Sequence, residues 1–194
     1  DLLGDGVRTI GYSAIDGSAS SAVASKSVSV IPVNDAPINH LPAAQTVAQG
    51  GALAFSSANG NAITVTDADP SPFSYEVLLE AVDGTIRLTS TSGLTWVGGN
   101  DGNSDHIFFE GNLSAINAAL NSLVFTPQAG FYGATSLRIW VDDLGGPPDI
   151  GGPTYDQDTL AITVTQPAAQ VTRVIATTGW HLQSGRHRHH CRHL

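Results

Sequence analysis

Val28-Ser29-Val30-Ile31, followed by Pro32 and then by Val33-Asn34-Asp35-Ala36-Pro37, decides how this chain divides. The alternation of the first four residues predicts a β-strand. Proline cannot donate to a ladder, so the strand stops there, and Asn34 and Asp35 place side-chain oxygens at the exit. Strand, short acidic joint and fresh strand in succession predict β-sandwich modules joined end to end. Read alone, the pentapeptide is equally an Asx-Pro turn, so the rest of the chain has to decide between the two.

A chain of 194 residues has room for one good-sized domain with extra pieces, or for two small domains. It contains no methionine and opens on Asp1-Leu2-Leu3-Gly4, which reads as an internal piece of a longer protein whose export signal would lie elsewhere. No apolar run approaches the roughly 20 residues that span a bilayer, so no membrane insertion is expected of this segment. There are 14 Asp against 3 Glu, and Lys26 is the one lysine beside 7 Arg. Asp in the company of Gly, Ser, Thr and Asn belongs to turns and loops. Such loops supply the oxygens that hard cations take, although they also simply solubilise a β protein. The net charge of -9 argues against nucleic acid and against anionic membrane surfaces as partners. The single cysteine, Cys191, excludes an internal disulfide and leaves stability to the core and to any bound metal.

Outward from the opening stretch, strands are predicted at 9–15, 22–31, 45–48, 53–55, 62–66, 74–79, 85–90, 107–110, 123–126, 135–141 and 159–165, separated by Gly-, Asn- and Asp-rich turns. One segment has a helical period: Leu113, Ile116, Leu120 and Leu123 share a face, and Asn112 can cap its start. Ile10-Gly11-Tyr12-Ser13-Ala14-Ile15-Asp16-Gly17 parallels Leu137-Arg138-Ile139-Trp140-Val141-Asp142-Asp143, and each is followed by a polar loop and a closing strand. The second loop is longer, as an insertion around Gly145–Gly152 would make it. Residues 1–31 therefore read as the last two strands of one module and 32–37 as a linker. Residues 38–168 read as a complete all-β Greek-key sandwich with one short helix. A lone two-stranded hairpin is marginal in water, so 1–31 is expected to be mobile or to borrow a neighbouring edge.

With those pieces placed, the chain resembles the cadherin-like tandem repeats of large bacterial surface adhesins, over roughly residues 1–168. Val33–Pro37 is similar to the second half of the cadherin linker. Thr64-Val65-Thr66-Asp67-Ala68-Asp69 with the following Tyr75 is similar to the A-x-D-x-D element. Trp140-Val141-Asp142-Asp143-Leu144-Gly145 is similar to the x-D-x-G element with one extra residue before the glycine. The stretch Gly111–Pro127 and Gly130-Phe131-Tyr132-Gly133 resemble the bacterial repeats in particular. The resemblance implies a Ca²⁺ site made by Asn34, Asp35, Asp67, Asp69 and Asp142 at one end of the sandwich, a joint stiffened by that ion, and an extracellular location on a bacterial surface. Affinity is expected to be weak, about 10⁻⁴–10⁻³ M. The implied partners are neighbouring repeats of the same polypeptide and a host or cell-surface ligand. At the far joint, Thr165-Gln166-Pro167-Ala168 lacks acids and no second site is expected.

Other signals carry less. Asp101-Gly102-Asn103-Ser104-Asp105 opens like an EF-hand, but His106 stands where the loop needs Gly and Asn112 where it needs Glu. Glu76, Glu80 and Glu110 are not paired about a cleft as a glycosidase requires, and His40 and His106 have no nucleophile in motif context, so the chain reads as a non-enzyme. Trp140 reads as core and Trp96 is left open. If Trp96 were a sugar-stacking platform, the chain would be a carbohydrate- or ligand-binding accessory module of a secreted enzyme. Residues 169–194 hold five of seven His and no acid and read as a disordered basic tail, expected to capture a transition metal only incidentally.

Overall fold

The computed structural model describes residues 6–30, 33–69, 74–98, 103–145 and 154–167. The tail from 169 onward, Cys191, Pro70 and most of the insertion after Gly145 lie outside them. What is described is mostly β, with several sheets in a sandwich-like arrangement.

The hairpin β1 (Gly6–Tyr12) and β2 (Ala24–Val30) forms a two-stranded sheet by itself. It turns at Asp16-Gly17-Ser18, where Asp16 Oδ1 accepts the amide of Ala19 at 3.0 Å. Every described residue of its strands is exposed, including Val7, Ile10, Tyr12, Val28 and Val30.

The body contains β3 (Ile38–His40), β4 (Gln45–Ala48), β5 (Leu53–Ala54), β6 (Thr64–Thr66), β7 (Tyr75–Ala81), β8 (Gly84–Leu88), β9 (Leu94–Trp96), β10 (Asn103–Ser104), β11 (His106–Gly111), α1 (Leu113–Leu120), β12 (Leu123–Pro127), β13 (Gly133–Asp142) and β14 (Tyr155–Thr165). A six-stranded sheet in the order β4-β14-β13-β7-β11-β9 faces a four-stranded one in the order β10-β8-β12-β5, and β3 pairs with β6 at one end. All pairings are antiparallel except β4 with β14. Strict alternation builds the core: Tyr75, Val77 and Leu79, Ile107 and Phe109, Leu137, Ile139 and Val141, and Leu160, Ile162 and Val164 turn inward from the large sheet. Ile86, Leu88, Leu123 and Phe125 answer from the small one. Each fully buried side chain of this kind contributes about 1.5–3 kcal/mol.

The helix forms where its period placed it. Asn112 Oδ1 accepts the amide of Ala115 at 2.9 Å, and Ile116 and Leu120 seal one end of the core. It ends at Leu120, before the predicted Leu123, because Leu123 already belongs to β12.

The registers of the two hairpins correspond. Gly6 stands opposite Val30 and Ile10 opposite Lys26, as Gly133 stands opposite Val164 and Leu137 opposite Leu160. One expectation fails: Trp140 is not core. Its neighbours Ile139 and Val141 point inward, so period two turns it to the outer face, where it is half-buried.

Past Ala161, β14 has β4 on its far side, from Ile162 to Thr165. Among the described residues, Tyr155–Ala161 pair with β13 alone. Two residues of this run, Asp156 and Asp158, fall on the inward-turned positions.

Candidate metal centre

The end of the sandwich that receives the joint is built from three short segments. In the loop after β6, the amide of Asp69 donates to Asp67 Oδ1 at 2.8 Å, an Asx turn that folds the two carboxylates over one another. In the loop after β13, Leu144 and Gly145 both adopt positive φ, 64° and 42°. That reversal aims two amides back: Leu144 donates to Asp142 Oδ1 at 2.7 Å and Gly145 to Asp143 Oδ1 at 2.8 Å. The joint then ties the loops together. Asn34 Nδ2 donates to Asp143 Oδ2 at 2.9 Å, and the amide of Asp35 donates to Asp69 Oδ2 at 2.7 Å.

Charge at this end is poorly compensated. Asp143 is 3% exposed. Burial pushes its carboxyl above the ordinary range, the Asn34 and Gly145 hydrogen bonds pull it back, and the charges of Asp142 and Asp69 push it up again. Burial likewise raises Asp67, against the Asp69 amide and the Tyr75 hydroxyl, and with further upward pressure from Asp143 and Asp69. Asp67 Oδ2 is buried without a hydrogen-bond partner. Buried like charges of this kind call for a counter-charge.

Of the expected ligands, Asn34, Asp67 and Asp69 are brought together, and Asp35 joins them through its backbone amide while remaining exposed. Asp142 is placed elsewhere. It alternates to the outer face of β13, opposite Glu76. Burial first, then Glu110 and Asp142, raise the Glu76 carboxyl. The carboxylate delivered to the pole is Asp143. Asp143-Leu144-Gly145 has the D-x-G spacing with no extra residue, a signal that was available in the sequence.

Searches against family models and curated proteins find no match. Among solved structures the chain is similar to surface layer protein SbsC, domains 1–6, with 13% identity and a TM-score of 0.33. The similarity covers 84% of this chain and 17% of that one.

Sequence reasoning also missed Asn39. It is 8% exposed, both atoms of its side-chain amide are buried without a partner, and its backbone amide donates to Asp156 Oδ2 at 2.8 Å. Nothing in Ile38-Asn39-His40 distinguishes so short a strand from the loop around it. Among the described residues, no three His, Cys, Asp or Glu side chains stand ready-placed as a metal-holding group. Asp67 Oδ1, Asp69 Oδ2 and both Asp143 oxygens are instead engaged with amides, Asn34 offering its nitrogen to Asp143, while Asp67 Oδ2 is left without a partner. A cation would replace that hydrogen bond, and a rotation of the Asn34 amide would present its oxygen. The donor types, carboxylate and amide oxygen, are those of Ca²⁺.

Trp96, left open by the sequence, is half-buried against the core and makes a T-shaped pair with Phe109, ring centroids 5.9 Å apart at 76°. No helix among the described residues is long and apolar enough to cross a membrane.

Proposed function

We propose that this chain is a cadherin-like link of an extracellular bacterial surface protein, a non-enzymatic Greek-key module whose role is structural and adhesive. In this reading Ca²⁺ binds at the pole formed by Asn34, Asp67, Asp69 and Asp143, with Asp35 at its rim, and stiffens the joint between the hairpin and the sandwich. Its partners are neighbouring repeats and a surface ligand. The observation that carries the proposal is the convergence of the joint with both acidic loops, through the Asn34–Asp143 and Asp35–Asp69 hydrogen bonds, around a carboxylate oxygen left buried and unpaired. Asx turns alone would satisfy each loop locally. They do not require Asn34 to reach 109 residues along the chain to a carboxylate that burial has already made costly to ionise.

Thermal unfolding tests the proposal. At 5 mM Ca²⁺ and a dissociation constant of about 10⁻⁴–10⁻³ M, mass action adds about 1–2 kcal/mol. For a domain of this size that is a rise of about 3–8 °C over the melt in EGTA. Asp143→Asn and Asp67→Asn should abolish the rise and Asp142→Asn should retain it. A wild-type melt indifferent to Ca²⁺, or a response lost only with Asp142→Asn, would sink this site.

A further inference from the structure

The outer face of the six-stranded sheet carries a pattern that neither packing nor the calcium pole uses. Antiparallel register sets Glu110 opposite Glu76, Glu76 opposite Asp142, and Asp142 opposite Tyr155. Directly opposed side chains in such a sheet are about 4.5–5.5 Å apart at Cβ, and like charges there are destabilising. One step along the strands on the same face, Phe108, Leu78, Trp140 and Gln157 form the next row. Glu76, Leu78, Phe108, Trp140 and Asp142 are all partly exposed. The Trp140 and Tyr155 rings lie 6.1 Å apart at 34°, so two π faces border the carboxylates. Arg138, in the following row, is already held by Glu80 and reaches Gln157 at 3.3 Å.

We propose that this face docks an extended, cationic segment of a partner protein. Lys or Arg side chains lie against Trp140 and Tyr155 and are held by Glu76, Asp142 and Glu110, while apolar side chains two residues away settle on Leu78 and Phe108. Charge complementarity favours this occupant over a neutral one. Three carboxylates in register cost the free domain stability, and a cation turns that repulsion into attraction. Aromatic faces add the cation–π contribution. Same-side residues of an extended peptide are spaced about 6.6–6.8 Å apart, which is the spacing between the acidic and the apolar row.

The test is calorimetric titration of the whole chain in EGTA, which leaves the calcium pole out of the measurement. The probe is an octapeptide in which Lys-Ser-Leu-Ser is repeated twice. Its twin with Gln for Lys and the neutral sugar cellohexaose are the comparison ligands. Binding of the Lys peptide should weaken about tenfold between 20 and 200 mM salt, as expected of screened charges. The Gln twin and the sugar should give no heat. Trp140→Leu, which keeps the apolar bulk, should weaken binding about tenfold. Glu76→Gln should weaken binding and at the same time raise the melting temperature of the free chain, an outcome a merely structural glutamate would not give. Asp105→Asn, far from these rows, should change nothing. The proposal is overturned by absence of binding, by equal binding of the Gln twin, by sugar binding that depends on Trp140, by a Glu76→Gln chain that melts lower, or by an equal effect of Asp105→Asn.

Discussion

Two carboxyl groups, Asp67 and Asp143, hold opposite consequences for acid stability with and without a cation. Burial raises both, so their folded-state affinity for protons exceeds that of the unfolded chain. The folded state binds more protons, and stability therefore rises as pH falls through the raised values towards the ordinary aspartate range. In EGTA the melting temperature should climb as the pH is lowered towards the ordinary aspartate range, about 4. In saturating Ca²⁺ it should fall over the same window, because protons displace the ion, and the two curves should converge. Scanning calorimetry at half-unit pH steps measures this directly. An EGTA curve that falls on acidification would mean that ordinary, exposed acids dominate and that the pole is not under strain. The same residues show the limit of reading by motif. Asp142 and Asp143 are adjacent, and only the phase of alternation along β13 decides which turns into the pole.

Among elements, α1 does more than close the core. Asn117 accepts the amide of Val65 at 2.8 Å and donates to the Val65 carbonyl at 2.9 Å, so one side chain supplies both hydrogen bonds that a neighbouring strand would give β6. Val65 is buried, and water cannot replace those bonds. Asn117→Ala should cost about 1–3 kcal/mol by leaving a buried amide and carbonyl unpaired, read as a lower midpoint in urea with an unchanged slope. Most of the large elements were legible beforehand because their signals are local. Period two marks β7, β8, β11, β13 and β14, and a capped 3.6 period marks α1. The short strands β3, β9 and β10 were not legible. Runs of two or three residues have no period of their own: β9 and β10 form on the edges of the longer β11 and β8, and β3 on the equally short β6. Trp140 was misread for a related reason: residue type suggested core, whereas its alternation with Ile139 and Val141 already placed it outside.

On the scale of the whole molecule, the hairpin and the body differ in kind. The strands of the hairpin are exposed on both faces, while the body buries a continuous core between two sheets. Removing residues 1–31 should therefore leave the EGTA melting temperature of the remainder within about 1–2 °C of the intact chain, since exposed residues contribute little. A loss of more than that would reveal packing between hairpin and body. The shared register of the two hairpins bears on a different hazard. A polypeptide made of near-copies is at risk, while it is being synthesised, of joining a strand from one copy to the sheet of the next. The run Tyr155–Ala161 is where such an exchange would start: among the described residues it ladders with β13 alone, with β3 held beside it through the Asn39 amide on Asp156. Asp156 and Asp158, turned inward there, would carry a charge into the wrong interior with any strand that paired so. In a chain of such repeats, as proposed above, these two inward carboxylates would disfavour a wrong partner while the polypeptide is still being made.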